Sequence, residues 1–331
     1  MAYGLWPLLL CLRSSRFTMH IPDGFLSTSV SLATWGVGGL SVAASLAAER
    51  RDAHPMPAGT LGSIAAFLFA AQLVNVPVAP GTSGHLVGAT LAAVMLGPWR
   101  AVIVMAVVLT VQAVLFQDGG IAALGANLVD MGLAGSFVGY TLAWLVARRA
   151  RDPRGYVWGA MLGAFAATLA AATLAALWLA LSGLYPLTGV LSLMLITHAA
   201  IGVLEAALTG GVLVTVLRWR PDLVRGLGGE TAAVRPATFA VGVLGLAITV
   251  AAFAAPLASS LPDGFDRTVE LLGLAGKAHP TWPAPLAGYV FPWGSSSALA
   301  AAVAGALGAG VVAVLAWAVS RTLSTEDAAH R

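Results

Sequence analysis

Residues 156–181 read YVWGAMLGAFAATLAAATLAALWLAL, without one charged side chain. A helix needs about 20 apolar residues to cross roughly 30 Å of hydrocarbon, so this stretch can span a bilayer by itself. Further apolar stretches lie to either side, at 28–48, 58–77, 86–97, 101–117, 128–147, 190–217, 237–258 and 294–319. The stretch 86–97 is too short to span alone and ends at Pro98, so it is expected inside the bundle, away from lipid. Of the 331 residues 59% are hydrophobic and 9% charged, with mean hydropathy +0.88, where a soluble domain carries about a quarter charged residues. The expected fold class is an all-α polytopic membrane protein: a bundle of about seven membrane segments, then a C-terminal pair of transmembrane helices.

Lys and Arg set orientation in such chains, because they are retained on the cytoplasmic side. With the start of the first helix outside, 13 of the 17 Lys and Arg residues fall inside, among them Arg50, Arg51, Arg100, Arg148, Arg149, Arg218 and Arg321. Only Arg267 and Lys277 fall in opposite loops, and Arg13 and Arg16 precede the first helix. The chain is therefore expected in the cell membrane as a multi-pass protein, N-terminal end outside and C-terminus cytoplasmic. Its net charge of +3 calls for no nucleic-acid partner. The polar stretch 218–236, with Pro221 and Gly226-Leu227-Gly228-Gly229, reads as a cytoplasmic linker between a domain at 19–217 and a two-helix unit at 237–331. That unit's external loop, 259–293, carries Trp282, Tyr289, Phe291 and Trp293 as an expected aromatic belt at the membrane surface. On the first span, Ala43 and Ala47, and Ala44 and Ala48, stand at the spacing that lets another helix approach, although an alanine-rich chain also makes such pairs by chance.

The single cysteine, Cys11, excludes an internal disulfide, a cysteine-only zinc site and an iron-sulfur cluster. Metal chemistry here must use nitrogen and oxygen. Residues 1–18, MAYGLWPLLLCLRSSRFT, place an apolar run before arginines, the reverse of a secretory signal, and the run is too short to span. A misassigned start is the favoured reading, with a disordered extension or an interfacial anchor as alternatives. Beginning at Met19 changes the available chemistry. The α-amine of Met19, the backbone amide nitrogen of His20 and its imidazole Nδ1 would close a five-membered and then a six-membered chelate ring. Three nitrogens in a plane suit Ni(II) or Cu(II), with Co(II) next. A fourth donor is needed. His54 and His330 fall in a cytoplasmic loop and the tail, His279 in the distant external loop, and His198 deep in the seventh span. His85 lies beside the short third segment, on the same side as His20; a lone loop histidine is as readily solvated as metal-bound.

Gln112, Asp118, Asn127 and Asp130 cluster around the outer ends of the fourth and fifth spans, with Gly119-Gly120 between them suggesting close backbone packing around a cavity. Orienting a metal-bound histidine is one use for them, and helix capping by Asp118 and Asn127 is the alternative. Asp23 and Ser83 are expected in the same supporting role. His198 and Glu205, seven apart, share a helix face and are read as structural or gating residues that could pair inside the bundle.

MHIPDGFLS at 19–27 closely resembles the N-terminus of the nickel/cobalt substrate-binding (S) components of energy-coupling-factor ABC transporters, the CbiM/NikM family. GTSGHLVGATLAAVMLGPW at 81–99, QAVLFQDGGIAALGANLVDMG at 112–132 and THAAIGVLEAALTG at 197–210 resemble that family's later motifs in the same order. The resemblance implies that the Met19 amine, His20 and His85 together bind a transported Ni(II) or Co(II) ion, with no bound organic cofactor. Pro22-Asp23 leans toward nickel-type members, since cobalt-type ones more often show Met-Glu there. The upstream residues 1–18 depart from the family pattern. LPDGFDRTVELLG at 261–273, between two spans, is similar to the small accessory subunit of these systems, here fused.

No GxxxxGK[ST] phosphate loop occurs in the chain. The resemblance implies that energy comes from partners, cytoplasmic ATPase subunits and a transmembrane coupling (T) component, and that the chain itself is no enzyme. Binding should weaken as pH falls, because every nitrogen donor must lose or lack its proton. The rivals are a stand-alone secondary metal permease using His198 and Glu205, and an intramembrane metalloenzyme, which would need an open metal position and a placed base. PDGF occurs at 22–25 and again at 262–265; both read as turns, and the repeat is given no role.

Overall fold

The computed structural model describes residues 20–52, 56–150, 152–224, 235–289 and 298–329. Met19, the segment 1–18, His54, His330, Phe291, Trp293 and most of the linker, 225–234, lie outside the described residues. The chain is an all-α polytopic membrane protein. Seven helices are long and apolar enough to cross a membrane among the described residues. They are α1 (Thr28–Arg50), α4 (Pro98–Phe116), α5 (Leu124–Ala150), α6 (Pro153–Leu181), α7 (Leu187–Trp219), α8 (Pro236–Leu257) and α10 (Ala298–Ala329). Two shorter apolar helices, α2 (Ala58–Gln72) and α3 (Ala89–Leu96), lie inside. Every residue of α3 is buried, as its length and Pro98 suggested, while α1, α7 and α8 keep Leu40, Ile196 and Val241 at 69–72% exposure on the lipid-facing outside.

Helix starts follow local chemistry. The Ser27 side chain accepts from the Val30 N–H to cap α1, and Asp152 does the same for Gly155 ahead of Pro153 in α6. The second apolar stretch, expected to run to residue 77, stops at Gln72. Pro77 cannot continue a helix, and the chain instead forms an antiparallel hairpin of β1 (Val76–Ala79) and β2 (Thr82–Gly84), with Val76 opposite Gly84. This hairpin delivers His85 to the bundle. Both α4 and α5 widen into π turns, at Gln112–Phe116 and Leu128–Ala134, next to the polar residues of the site; such turns commonly mark functional positions.

The C-terminal pair, α8 and α10, packs on α2. At Gly62 of α2 an added Cβ would lie 2.6 Å from the Ala313 carbonyl oxygen of α10, so only glycine admits that approach. The beginning of the expected linker is also folded: Leu223 and Val224 are buried, and Arg220 pairs with Asp222 and lies over the Phe239 ring. At the same end, Arg100 is buried between Glu49 and Asp52 at 2.5 and 3.0 Å, the paired state a buried guanidinium requires.

At the other end, the segment 258–289 joining α8 to α10 lies across the bundle. It contains α9 (Gly264–Leu271). His279, expected in a distant loop, donates its backbone N–H to the Asp23 carbonyl at 2.9 Å. Tyr289, expected in an aromatic belt, is instead stacked on Phe116 with ring centroids 4.5 Å apart, and its hydroxyl donates to Asp118 at 2.9 Å. Both differ from expectation for one reason: the segment finds hydrogen-bond acceptors on the outer end of the membrane domain, the Asp23 carbonyl ahead of α1 for His279 and Asp118 between α4 and α5 for Tyr289, and packing a phenol against them outweighs leaving it at the interface. Trp282 stays half-exposed while its indole N–H reaches the Val114 carbonyl.

Candidate metal-binding site

His20 and His85 come together. Their ring centroids are 6.4 Å apart, both are buried, and both line one cavity with Asn127, Asp130, His198, Glu205 and Asp263. Each ring is held by its other nitrogen. The Gln72 Nε2–H donates to the Val87 carbonyl at 2.8 Å, which leaves Gln72 Oε1 to accept from Gln112 Nε2 at 2.8 Å. Gln112 Oε1 then faces His20 Nε2 at 2.9 Å. A backbone carbonyl accepts only, so each amide in this relay has one possible orientation and His20 Nε2 must carry the proton. The lone pair of His20 is thereby placed on Nδ1. His85 is fixed the other way round: its Nδ1–H donates to Asn75 Oδ1 at 3.1 Å, leaving Nε2 as the lone-pair nitrogen. Burial, with His20 and His198 adding to it, pushes the His85 imidazole down from 6.5 to about 3, so it is neutral at ordinary pH.

The segment carrying His20 is clamped by its backbone. Asn127 accepts from the Ile21 N–H and donates to the Ile21 carbonyl, both at 3.1 Å, and is not a helix cap. Asp23 accepts from the Ala122 N–H at 2.8 Å and, with its other oxygen, from the Thr281 N–H and hydroxyl. A Cβ on Gly120 would lie 2.2 Å from the Asp23 nitrogen, so the paired glycines do admit a close backbone approach. Ser83 makes its hydrogen bonds to the C-terminal unit. Its N–H and hydroxyl bind the Pro262 and Leu261 carbonyls, tying the 258–289 segment to the hairpin beside His85. Asp118 serves that segment too, through Tyr289. Asp130 takes the Trp178 indole N–H at 2.7 Å.

His198 and Glu205 both face the cavity, as their shared helix face required, but they take different partners. Glu205 accepts from the Val87 and Gly88 N–H groups at 2.7 and 2.8 Å, bracing the turn after His85. His198 Nδ1 lies 2.8 Å from the Met194 carbonyl. Gln72, Asn75 and Asp263 were not foreseen as site residues. Gln72 and Asn75 carried a signal, being isolated amides in an apolar stretch; Asp263 carried one only as the repeat of Asp23. Among the described residues, no group of three or more His, Cys, Asp or Glu side chains is placed to hold a metal ion. Side chains alone do not close a coordination sphere there.

These features define a polytopic helical membrane protein with a paired-imidazole pocket at one end of its bundle. Residues 20–223 match the family described as the cobalt uptake substrate-specific transmembrane region, and the chain belongs to that family. Residues 237–325 match the PDGLE domain. A chain of Archaeoglobus fulgidus, provisionally named a fused nickel transport protein, NikMN, is 33% identical over 93% of this chain and 100% of its own length. The cobalt transport protein CbiM of Sorangium cellulosum is 36% identical over 62% of this chain and 94% of its own. A crystal structure of a truncated transition metal transporter is similar at TM-score 0.54 and 32% identity, covering 60% of this chain and 99% of that one.

Proposed function

We propose that the chain is the substrate-binding membrane component of an ATP-driven energy-coupling-factor uptake transporter for Ni(II) or Co(II). The ion is captured on the outer side by the Met19 amine, the His20 amide nitrogen, His20 Nδ1 and His85 Nε2. The observation that carries this reading is the glutamine relay from Val87 to His20, which puts the lone pair on Nδ1. Only Nδ1 can close a six-membered ring with the amide of its own residue. His85 offers its lone-pair nitrogen to the same cavity. Four nitrogens in this arrangement favour a square-planar ion, Ni(II) or Cu(II), with Co(II) next. The names of the nickel and cobalt transport relatives agree with that cargo.

On this reading residues 19–217 form the metal-binding domain, 218–236 a cytoplasmic linker and 237–331 an accessory unit. The His20 end of the bundle faces outward. Cytoplasmic ATPase subunits and a transmembrane coupling component supply the energy, since the chain lacks a phosphate-binding loop. Calorimetric titration of Ni(II) and Co(II) into chains beginning at Met1 and at Met19 tests the chelate. Tight binding is expected only where the Met19 amine is free, and N-terminal sequencing of the mature protein should begin at Met19. Equal affinity in both chains, or retention of residues 1–18, would overturn it. Uptake that persists when the partner ATPase is inactivated would overturn the coupling.

A further inference from the structure

The second Pro-Asp-Gly-Phe copy brings a carboxylate to the cavity from the other end of the chain. Asp263 is 6% exposed and lines the same cavity as His20 and His85. Its position is set from every side. Pro262 and Leu261 before it are tied to Ser83 of β2, a Cβ on Gly264 after it would lie 2.6 Å from the His198 ring, and the Phe265 ring packs on Phe25. Asp263 also caps α9, accepting from the Asp266 N–H at 2.8 Å. A cap needs only a side-chain oxygen, which Ser, Thr or Asn provides equally well. Capping does not account for an ionisable carboxyl in a mainly apolar cavity, where burial pushes it up and the Asp266 N–H, then His20, pull it back down.

Counting charge supplies the account, and it rests on the nitrogen chelate proposed above. A divalent ion bound by a neutral amine, a deprotonated amide and two neutral imidazoles leaves the site with one net positive charge, away from water. A buried charge left unpaired is strongly unfavourable. The other carboxylates near the site each accept from neutral donors of the membrane domain or its covering segment, as Asp118 does from Tyr289, Asp130 from Trp178 and Glu205 from Val87 and Gly88. Of the three carboxylates that line the cavity among the described residues, Asp130 and Glu205 belong to membrane-spanning helices and Asp263 comes from the C-terminal unit. Among the described residues, Asp263 hydrogen-bonds the start of its own helix, and it shares the cavity with His20. We propose that Asp263 is the charge-balancing residue of the metal site, so that the C-terminal unit completes the site electrostatically without ligating the ion. It is a positioning residue: it acts on the loaded state through the field at His20.

The test uses the full chain with its native N-terminus, titrated with NiCl2 alone, in wild type, Asp263→Asn, Asp263→Ser and His85→Ala. Asn and Ser both keep the cap, so the unfolding midpoint of the metal-free protein should stay at or above that of wild type. Ni(II) affinity should nonetheless fall about tenfold in both, the size expected for losing one nearby charge in a partly buried setting. These opposite signs separate charge from structure. Unchanged affinity in Asn and Ser overturns the proposal, and so does an affinity loss that merely follows a lowered metal-free midpoint. If wild type and His85→Ala bind Ni(II) alike, the chelate reading fails instead.

Discussion

Phe25 and Phe265, the last residues of the two Pro-Asp-Gly-Phe copies, meet edge to face with ring centroids 5.6 Å apart. Both are almost wholly buried, so the two copies form one contact that joins the start of the membrane domain to the C-terminal unit. Phe265→Ala removes the C-terminal half of it. A loss of about 3–5 kcal/mol is expected for a buried aromatic truncated to alanine, while Phe265→Leu should lose under about 1.5 kcal/mol. Chemical denaturation of the purified chain in detergent measures both, and limited proteolysis in the 258–289 segment should accelerate in the alanine variant only.

The glutamine relay makes a graded prediction for metal affinity. Gln112→Leu removes the acceptor that keeps the proton on His20 Nε2, which should reduce Ni(II) affinity about 10–100-fold, as outer-shell substitutions at metal-bound histidines do. Gln72→Leu acts one step further away and should cost less, because Gln112 Oε1 can still accept from His20 Nε2 and only the partner that fixes the Gln112 amide is lost. Calorimetry with NiCl2 ranks the two; an equal or inverted ranking would mean that the relay does not set the tautomer.

The bundle was legible because a bilayer asks one coarse question of each segment, whether it is apolar for long enough, and the stretches at 28–48 and 156–181 answer it without reference to their neighbours. The hairpin at 76–84 was not legible: Val76 and Val78 fit an apolar span, and Pro77 and the Pro80-Gly81 turn argue against a span without specifying a hairpin. His20 and His85 could be found by chemistry, as donor types on one side of the membrane. Their supporters were harder to read. For Asp118 and Asn127 capping stood beside orienting a histidine as an equal reading, because capping is a local rule, whereas their partners, Tyr289 and Ile21, are distant in sequence. The coverage of the site by 258–289 had no local signature. It depends on single hydrogen bonds, such as Ser259 N–H to the Asn75 carbonyl at 2.8 Å, that pattern and composition do not encode.

His85 gives the metal-free protein a definite pH dependence. Its folded-state value, about 3, lies below the ordinary 6.5, so the unfolded chain binds more protons between these limits. Stability must therefore rise with pH across that window and fall as pH drops from about 6.5 toward 3, by at most about 1.4 kcal/mol per pH unit from this group. Asp263, pushed up by burial, works in the opposite direction over part of the same range. The comparison to make is wild type against His85→Gln: the variant should show a flatter, more acid-tolerant profile of unfolding midpoint between pH 4 and pH 6.5 in chelator-treated protein. Parallel profiles would mean that His85 is not buried neutral.

Glu205 accepts two backbone N–H groups from the turn directly after His85, with its carboxylate 2% exposed. Glu205→Ala leaves both buried donors without an acceptor, at about 1–3 kcal/mol each, and frees the turn that aims His85 at the cavity. Glu205→Gln keeps one acceptor oxygen and should lose about half as much. If Glu205 acts by bracing this turn, stability and Ni(II) affinity must fall together, alanine more than glutamine, because the same two hydrogen bonds carry both. A gating residue would behave differently: glutamine would change uptake in vesicles while leaving the unfolding midpoint and the Ni(II) affinity of the purified chain where they were. Measuring all three quantities on the two variants decides between a brace and a gate.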